Sequence, residues 1–560
     1  MVMYSTIAKN AGNNDINIAH MLIAGRWSDN SENIRTLLNG LQCKTLTSFR
    51  CKQVTTTTMF IFMLLVATGI LLWWCYSTHT HLKKLPPGPF PLPIIGNLHL
   101  LGNLPHRALH KLSRKYGSIM SIRLGSINAV IVSSPDAAKL FLGTHDAIFA
   151  SRPEVQLSKY LYHGNKGILL SEYGEYWRNI RKFCVTELLS PVKINGFAGM
   201  RKEEIGWMVE EIRVASMTHQ VVDLNKMVGS LIEGMTCRML FGKKNDERFV
   251  FRRIIDEFAV VLGTVNLADF VPMLQHFDLQ GLTRRFKSLV KDIDEMLDTL
   301  ITEHEEYSLT RIQRSDQMNF IDILLSVKNK YSVTHENLSK TIDRSTMKAI
   351  LVDMVAGIID TSKTSIEWVL SALIKHPRVM NKLQKELASI VGDKQMVEET
   401  DLAKLSYLHM VVKETFRLYP VAPLLMPRES TEDIVINGYY IPKKTQVLVN
   451  VWAFGHDPQV WTENCAEFLP ERFLHKEIDF RGPGFELLNF SAGRRGCPAM
   501  NFGLLNVYLA VSNLVHCFDW VLPDGTSHID LDMNEKFVST MAKVKPLLAI
   551  PTYHMGGSTV

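Results

Sequence analysis

One cysteine of this chain lies in surroundings that suit chemistry. Cys497 falls within FSAGRRGCPAM, residues 490–500, and an apolar run follows it. Pro498 would occupy the first position of a helix, and the positive end of that helix would lower the pKa of the thiol. Gly493 and Gly496 would let backbone approach the sulfur closely. The pattern indicates either a soft anionic metal ligand or a structural cysteine flanked by glycines.

The other cysteines provide no second site of this kind. The chain has eight cysteines, which form neither a CxxC pair nor a zinc-like Cys/His spacing. We therefore expect no disulfide framework and no zinc site. Most of the thiols should be small buried hydrophobes in a reducing compartment.

An acid and an alcohol stand side by side in an otherwise apolar stretch. Asp360 and Thr361 belong to VAGIIDTS, residues 355–362, which we predict to be part of a central helix. Two interpretations remain open. The pair handles protons, or the aspartate is capped and the threonine is bonded back to a helical carbonyl.

A third motif places opposite charges on one helical face. Glu414 and Arg417 are three residues apart in KETFRLYP, residues 413–420. The spacing predicts an ion pair, although it is equally typical of an ordinary surface pair of little energetic value.

Helical periodicity dominates the elements that must position these residues. Apolar residues recur at spacings of three and four near residues 201–216, 248–264, 282–306, 345–375, 378–391, 402–418 and 498–518. Ser118–Ser134 predicts a hairpin around a Gly-Ser turn, Asp433–Pro442 a second one around Asn-Gly, and Gln446–Ala453 a further strand. The predicted fold class is therefore mainly α with a small β region.

The N-terminal part predicts a membrane anchor. Residues 59–76, MFIFMLLVATGILLWWCY, are uncharged, and at about 1.5 Å per residue such a helix reaches about 27 Å, enough to cross a thin bilayer once. Residues 77–97 contain five prolines within positions 86–93 and predict a stiff hinge. We interpret residues 1–58 as an unstructured extension and hypothesise that native translation starts at Met59. Residues 98–560 would form one catalytic domain.

Composition and missing motifs exclude several function classes. The 560 residues are 46% hydrophobic and 21% charged, with a net charge of +6, the profile of a large globular protein rather than of a nucleic-acid-binding one. The chain has no Walker phosphate loop, no GxGxxG, no GxSxG elbow and no HExxH. Nucleotide-dependent and hydrolytic enzymes are therefore not expected.

Together these motifs resemble those of the cytochrome P450 family. Phe490, Gly493, Arg495 and Cys497 match the family's haem-loop pattern Phe-x-x-Gly-x-Arg-x-Cys, and the resemblance extends over roughly residues 85–551. The proline-rich hinge, the DTS tripeptide, ETFRLYP and PERF are similar to those of plant microsomal A-type members. The implied architecture is the cytochrome P450 fold, preceded by one transmembrane helix.

The resemblance implies a role for each matching residue. The cofactor would be haem b, with Cys497 as the axial thiolate ligand of its iron. Asp360 and Thr361 would deliver protons to dioxygen, and Gly357 would loosen the helix one turn earlier. Ile358 departs from the small residue of many relatives. Further haem-binding residues implied in this way are Trp177, Arg181, Arg428, Phe490, Gly493 and Arg495, and Arg472 of FLPERF joins Glu414 and Arg417 in a structural triad.

The implied reaction is the insertion of one oxygen atom of O₂ into a small hydrophobic or aromatic substrate, a hydroxylation in plant specialised metabolism. Electrons would come from NADPH through a partner, NADPH-cytochrome P450 reductase, since flavin and nicotinamide motifs are missing. Arg178 and Lys182 are candidate docking cations for it. The anchor would hold the catalytic domain on the cytosolic side of the endoplasmic reticulum membrane. Candidate substrate-lining segments are Ser158–Ser171, Phe258–Phe277, Leu351–Val355, Val421–Leu425 and Val538–Thr540.

Two other functions remain alternatives. One is an isomerase or dehydratase of a peroxide that uses neither O₂ nor a reductase, and the other is a non-catalytic haem-binding or sensor protein. The retained pair Asp360 and Thr361 favours the monooxygenase over both.

Overall fold

A computed structural model describes residues 59–69, 84–156, 166–242, 266–308, 318–334, 342–462 and 464–554, with isolated positions at 160 and within 254–264. The chain divides into one unit of residues 1–82 and another of residues 83–560. In the first unit, residues 59–69 are helical with exposed apolar side chains. Over the described ranges, no helix has the length and apolarity needed to cross a membrane. Residues 1–58 and 70–76 of the predicted extension and anchor lie outside those ranges.

The second unit is mainly helical, which confirms the predicted class. Its longer helices are α1 (Pro105–Tyr116), α2 (Glu175–Phe183), α3 (Ala198–Met217), α4 (Leu224–Phe241), α5 (Leu282–Ser308), α6 (Phe320–Thr334), α7 (Arg344–Lys375), α8 (Pro377–Val391), α9 (Ser406–Leu418) and α10 (Met500–Cys517). Short helices include Pro135–Lys139, Pro191–Gly196, Leu267–Phe270, Glu399–Leu402, Val451–Gly455 and Pro458–Trp461.

The strands form small sheets. They are β1 (Ile119–Leu124), β2 (Ile127–Val132), β3 (Val222–Asp223), β4 (Arg428–Glu429), β5 (Ile434–Ile436), β6 (Tyr439–Ile441), β7 (Gln446–Val449), β8 (Phe518–Val521), β9 (Glu535–Phe537), β10 (Met541–Lys543) and β11 (Leu548–Tyr553). Their orders are β1-β2-β7-β4, β3-β11-β8, β9-β10 and β5-β6. Alternate residues of β2 enter the apolar clusters on opposite faces of its sheet, as the period of two along a strand requires. Both predicted hairpins are confirmed, as the antiparallel pairs β1-β2 and β5-β6.

The central element is α7, a 32-residue helix. Asp343 caps its first turn, because its carboxylate accepts the Thr346 N–H at 2.7 Å. The helix packs against α4, α8, α9 and α10 and is buried along most of its length, except around residues 353–361. This less buried stretch contains the predicted acid and alcohol.

Three predicted elements begin or end at other residues in the structure than the sequence predicts. Val451–Gly455 is a short helix rather than the end of a strand, since Asn450 caps it by accepting the Ala453 N–H. The predicted helix 402–418 is interrupted at Leu405, whose backbone is not helical. Helix α10 starts at Met500, two residues after Pro498. The segment 248–264 lies mostly outside the described residues.

The proline-rich segment is in part attached to the second unit. The carbonyls of Pro86 and Pro87 accept hydrogen bonds from Ser121 of β1, from its hydroxyl at 2.7 Å and its N–H at 2.9 Å. Asn97 accepts the Arg123 N–H at 2.8 Å. Residues 84–97 thus run beside the first hairpin, and the unit boundary falls before them.

Candidate active site

The Cys497 loop is shaped by its own backbone hydrogen bonds. Gly493–Arg495 forms a single 3₁₀ turn, and the Cys497 N–H donates to the Phe490 carbonyl at 2.8 Å. Gly493 has a φ of +66°, and a Cβ there would overlap the Asp146 carboxylate. The ring of Phe490 stands edge-on to Phe480, with centroids 5.3 Å apart. The loop therefore presents the sulfur in one defined position before α10.

The protonation of the Cys497 thiol differs from our expectation. The side chain keeps an exposed surface, yet the surrounding protein raises the pKa of the thiol by burial, against the opposing effects of the Ala499 N–H and of Arg181. The predicted lowering of the pKa by the helix end is therefore wrong for the free thiol, because the helix begins at Met500 and desolvation dominates. A cation bound to the sulfur would reverse this direction.

Arginines surround the loop, of which Arg428 and Arg495 are buried and Arg181 is half-buried. Arg181 donates to the Gly496 carbonyl at 2.5 Å, and Arg428 to Ser491 Oγ at 3.0 Å and the Ala492 carbonyl at 2.6 Å. Arg495 donates to the carbonyls of Ala150, Ile168 and Ser171. Burial lowers the pKa of Arg495 to about 9 and of Arg428 to about 10, with neighbouring arginines adding to the effect. The site thus concentrates positive charge in a desolvated place.

Trp177 is part of the same arrangement. Its indole Nε1 donates to the Ile168 carbonyl at 3.0 Å, and the ring is 2% exposed. The Arg495 guanidinium lies 4.1 Å from the centre of that ring, and Arg181 lies 5.4 Å from it. The indole N–H of this predicted haem-binding residue is therefore engaged with backbone here, and the ring lies against two arginines.

Two residues of the site carry no sequence signal that we recognised. Asp146 accepts from Arg428 Nη1 at 3.1 Å and from the backbone and side chain of Arg494 at 2.9 Å. Arg152 is buried and donates to the carbonyls of Leu169, Met426 and Pro427. Both lie far from the haem-loop motif in sequence, so spacing does not reveal them.

The acid and the alcohol on α7 have separate partners. Asp360 Oδ2 accepts from the hydroxyls of Ser539 at 2.9 Å and Thr540 at 2.7 Å. Thr361 Oγ1 donates to the Gly357 carbonyl at 2.6 Å, which is the back-bonded arrangement that we left open. Both side chains are half-buried.

Gly357 leaves an open position on the surface of α7. It is exposed in the middle of a core helix, and a Cβ built on it meets nothing within 4 Å. Ile358, the departure from the family pattern, is 6% exposed and belongs to the main apolar core.

Glu414, Arg417 and Arg472 form one buried ion cluster. Arg417 holds Glu414 through two hydrogen bonds of 2.8 Å, and Arg472 Nε lies 2.9 and 3.0 Å from the two oxygens of that carboxylate. Glu414 and Arg417 are completely buried. Arg417 also donates to the carbonyls of Gly455, Cys465 and Glu467. The cluster joins α9 to the segment 455–472, which leads to the Cys497 loop.

These residues fit a flat anionic cofactor with a metal at its centre. Among the described residues, the site holds three buried guanidinium groups, of Arg152, Arg428 and Arg495, and the half-buried one of Arg181, against the carboxylate of Asp146, which pairs with Arg428. Such an excess suits the carboxylates of a haem edge. Cys497 supplies one soft donor, and the open face at Gly357 supplies space.

Comparison with known proteins agrees with this geometry. The cytochrome P450 family profile matches residues 86–548. Cytochrome P450 CYP736A12 of Panax ginseng is 55% identical over 88% of this chain and 99% of its own length. Cytochrome P450 736A117 of Prunus mume is 40% identical over 89% and 95%, and norfluorocurarine oxidase of a Strychnos species is 40% identical over 84% and 93%.

The chain belongs to the cytochrome P450 family. It is accordingly an oxidoreductase of the monooxygenase class whose cofactor is a haem-thiolate iron.

Proposed function

We propose that this chain is a membrane-anchored monooxygenase that hydroxylates a small hydrophobic or aromatic metabolite in plant specialised metabolism. The observation that carries the proposal is the cluster of arginines around the Cys497 loop. The plant relatives support the metabolic context, and one of them is named as an oxidase of a single organic compound.

In this proposal the haem, when bound, supplies the activation of O₂. Cys497 provides the sulfur ligand, held in place by the hydrogen bond between its N–H and the Phe490 carbonyl. Arg181, Arg428 and Arg495 neutralise the anionic edge of the cofactor. Their guanidinium groups are already oriented by carbonyls and by Trp177, so binding costs little reorganisation.

Asp360 and Thr361 are proposed to move protons into the pocket. Thr361 Oγ1 donates its own proton to the Gly357 carbonyl, which leaves its lone pairs to accept another. Asp360 is half-buried, is held by two hydroxyls and lies 3.8 Å from Lys363 Nζ. A proton taken up at the Asp360 carboxylate would pass to Thr361 Oγ1 as the proton that this hydroxyl now donates to the Gly357 carbonyl leaves for the pocket.

The partners and location belong to the same proposal. NADPH-cytochrome P450 reductase would deliver electrons, and Arg178 and Lys182 are candidate docking cations because both are exposed on α2, which also carries Arg181. The apolar segment 59–76 would anchor the chain in the endoplasmic reticulum membrane with the catalytic domain in the cytosol. The exposed apolar side chains of residues 59–66 support an apolar surrounding for this segment.

The substrate class follows from the pocket side of α7. Val355 and Ala356 directly precede the open position at Gly357 and carry no charge. Leu424 and Leu425 add apolar surface from the segment before β4. The candidate segments 158–171 and 258–277 are only partly within the described residues.

Cys497→Ala tests the proposal. We expect purified wild-type protein, reduced and exposed to carbon monoxide, to show the red-shifted Soret band of a cysteinate ligand, and Cys497→Ala to lack it. Cys465→Ala is the matched control, because the thiol of this partly buried cysteine lies outside the Cys497 loop and makes a long contact with the His456 carbonyl, while its backbone contacts are kept in the variant. Wild-type protein with reductase, NADPH and O₂ should form oxygenated product. Product without NADPH would favour the isomerase alternative, and no product would favour the haem-binding one.

A further inference from the structure

A cleft that shares no residue with the candidate active site lies at the junction between α7 and α8. It is lined by residues 375–379, by Phe468 and by residues 528–529, and its volume is about 380 Å³. We call it the basic cleft. Its volume is near the lower end of the range for small-molecule sites, which suits a ligand of one or two rings.

The basic cleft holds more positive than negative charge. The basic side chains that line it are those of Lys375, His376, Arg378 and His528. Arg378 is exposed and pairs with Glu471 at 2.8 Å. Within the part of the chain that the structure describes, no ion pair engages Lys375, His376 or His528. The cleft therefore attracts anions.

Lys375 is a half-buried cation without a counter-charge. Its Nζ donates to the carbonyls of Ile529 at 2.9 Å and Leu531 at 3.0 Å. These carbonyls satisfy two of the three N–H groups of the ammonium but leave its charge uncompensated. An anion in the basic cleft would accept from the third N–H group and would supply the missing charge.

Two imidazoles add donors to the same cleft. The ring of His376 is stacked on Phe468, with centroids 5.0 Å apart and planes 18° apart. Burial lowers the pKa of His376, and the cations Lys375 and Arg378, together with His528, lower it further. No carboxylate opposes this effect, so the field at His376 is positive. A bound anion would shift the pKa of His376 in the opposite direction.

Apolar surface lies beside these cations. Ile529 is 71% exposed, and Pro377 is also exposed. Val379 and Phe468 are buried beneath them. A bare inorganic anion would leave the apolar side chains in water, whereas an anion with a flat apolar body would cover them.

We propose that the basic cleft binds a small aromatic carboxylate, with the carboxylate against Lys375 and the two imidazoles and the ring over Ile529. The site is separate from the proposed monooxygenase chemistry and does not depend on it. Phe468 adjoins Leu469, whose N–H donates to Glu414 at 2.7 Å. An occupant would consequently support the buried ion cluster from outside and raise the melting temperature.

The probe that tests the inference is 1-naphthoate, titrated into the ferric full-length holoprotein by calorimetry. Its neutral counterpart 1-naphthamide isolates the effect of charge, and inorganic phosphate isolates that of the ring. The Soret band is recorded in parallel, because a ligand beside the haem shifts it and a ligand in the basic cleft does not. We expect 1-naphthoate to bind with a Kd below about 1 mM, and the amide and phosphate to bind at least about tenfold more weakly.

Four variants locate the binding. Lys375→Gln removes the charge but keeps a donor for one carbonyl, and Lys375→Arg keeps the charge. His528→Asp places a carboxylate in the basic cleft, and His475→Asp is the matched control, since His475 is exposed and does not line the cleft. Lys375→Gln and His528→Asp should weaken 1-naphthoate about tenfold. Lys375→Arg and His475→Asp should stay within about threefold of wild type.

Several results would overturn the inference. These are no binding of 1-naphthoate up to about 5 mM, equal affinity for the amide or for phosphate, and wild-type affinity in both Lys375→Gln and His528→Asp. Binding that shifts the Soret band and ignores these substitutions would place the ligand beside the haem instead. If Lys375→Gln fails to fold, His528→Asp carries the test, because it leaves the bonds of Lys375 intact. Absence of the band with carbon monoxide in wild-type protein would refute the proposed function and not this site, so the two failures are distinguishable.

Discussion

At the scale of the residue, Gly493 is the position with least freedom in the Cys497 loop. Its φ of +66° is unfavourable for any residue with a Cβ, and that Cβ would overlap Asp146. We expect Gly493→Ala to lower the free energy of unfolding by about 2 kcal/mol or more and to reduce haem incorporation. Urea unfolding and the spectrum with carbon monoxide measure both effects.

Gly199→Ala is the control for that substitution. Gly199 lies in α3 with a normal φ, and a Cβ there meets nothing within 4 Å. Alanine should be neutral or stabilise the helix by up to about 1 kcal/mol. Equal destabilisation by both substitutions would contradict the role of the Gly493 conformation.

At the scale of the element, the ion cluster of α9 tests what burial adds to a charge pair. Arg417→Ala leaves the Glu414 carboxylate buried with one fewer cation, and we expect a loss of about 3–5 kcal/mol. Arg213→Ala breaks a pair of the same spacing on α3, with Glu210 at 2.6 Å, but that pair is solvent-exposed. Its loss should leave the free energy of unfolding nearly unchanged, because exposed pairs contribute little. Similar losses in chemical denaturation would show that burial is not the deciding factor.

A second element-scale prediction concerns acid stability. Glu471 joins the short helix Pro470–Phe473 to α8 and α9, and its pKa is lowered to about 2 by hydrogen bonds from Arg378 first, then from Lys382 and Tyr407. A carboxyl whose pKa is lowered in the folded state stabilises above its usual pKa, and this stabilisation is lost as the pH falls toward the folded value. Wild type should exceed Glu471→Gln by about 1–2 kcal/mol above pH 5, after allowance for partial exposure.

That difference should narrow as the pH falls from about 5 to 3, measured by urea unfolding at each pH. Glu477→Gln serves as the control, since Glu477 is exposed on the same segment. A difference between wild type and Glu471→Gln that does not depend on pH would refute the assigned ion pairs.

At the scale of the whole molecule, the unit boundary predicts where the chain can be shortened. The second unit starts at Lys83, and the Tyr440 N–H still finds its acceptor, the Lys84 carbonyl at 2.8 Å, when residues 1–82 are removed. We expect the shortened chain to bind haem and to melt within about 3 °C of the full-length protein, because the cores lie entirely in the second unit. Loss of the band with carbon monoxide would contradict this boundary.

The same shortened chain tests the proposed anchor. Full-length protein should sediment with microsomal membranes, and the shortened chain should stay in the supernatant. Equal distribution of the two would count against residues 59–76 as the anchor.

Helices and hairpins were predictable where hydrophobic periodicity or turn residues mark them in the sequence. The first hairpin, the hairpin at Asn437-Gly438 and the helices α3, α5, α7 and α8 follow from periodicity and turn residues. Helix α4 was missed because it is buried on nearly every side, so its apolar residues form no stripe. The end of the predicted strand 446–453 was wrong because the side chain of Asn450 caps a short helix that begins at Val451.

The sequence by itself determined the family and the pairing of Glu414 with Arg417, and it predicts Cys497 as the sulfur donor, because each depends on residues at short, fixed spacing. Only the tertiary structure decided that Asp146 meets Arg428 across 282 positions, that Ile168 links Asp353 to Arg495, and that burial raises the pKa of the Cys497 thiol. These depend on which groups the packed chain desolvates together, and desolvation is a property of the folded molecule rather than of any one segment.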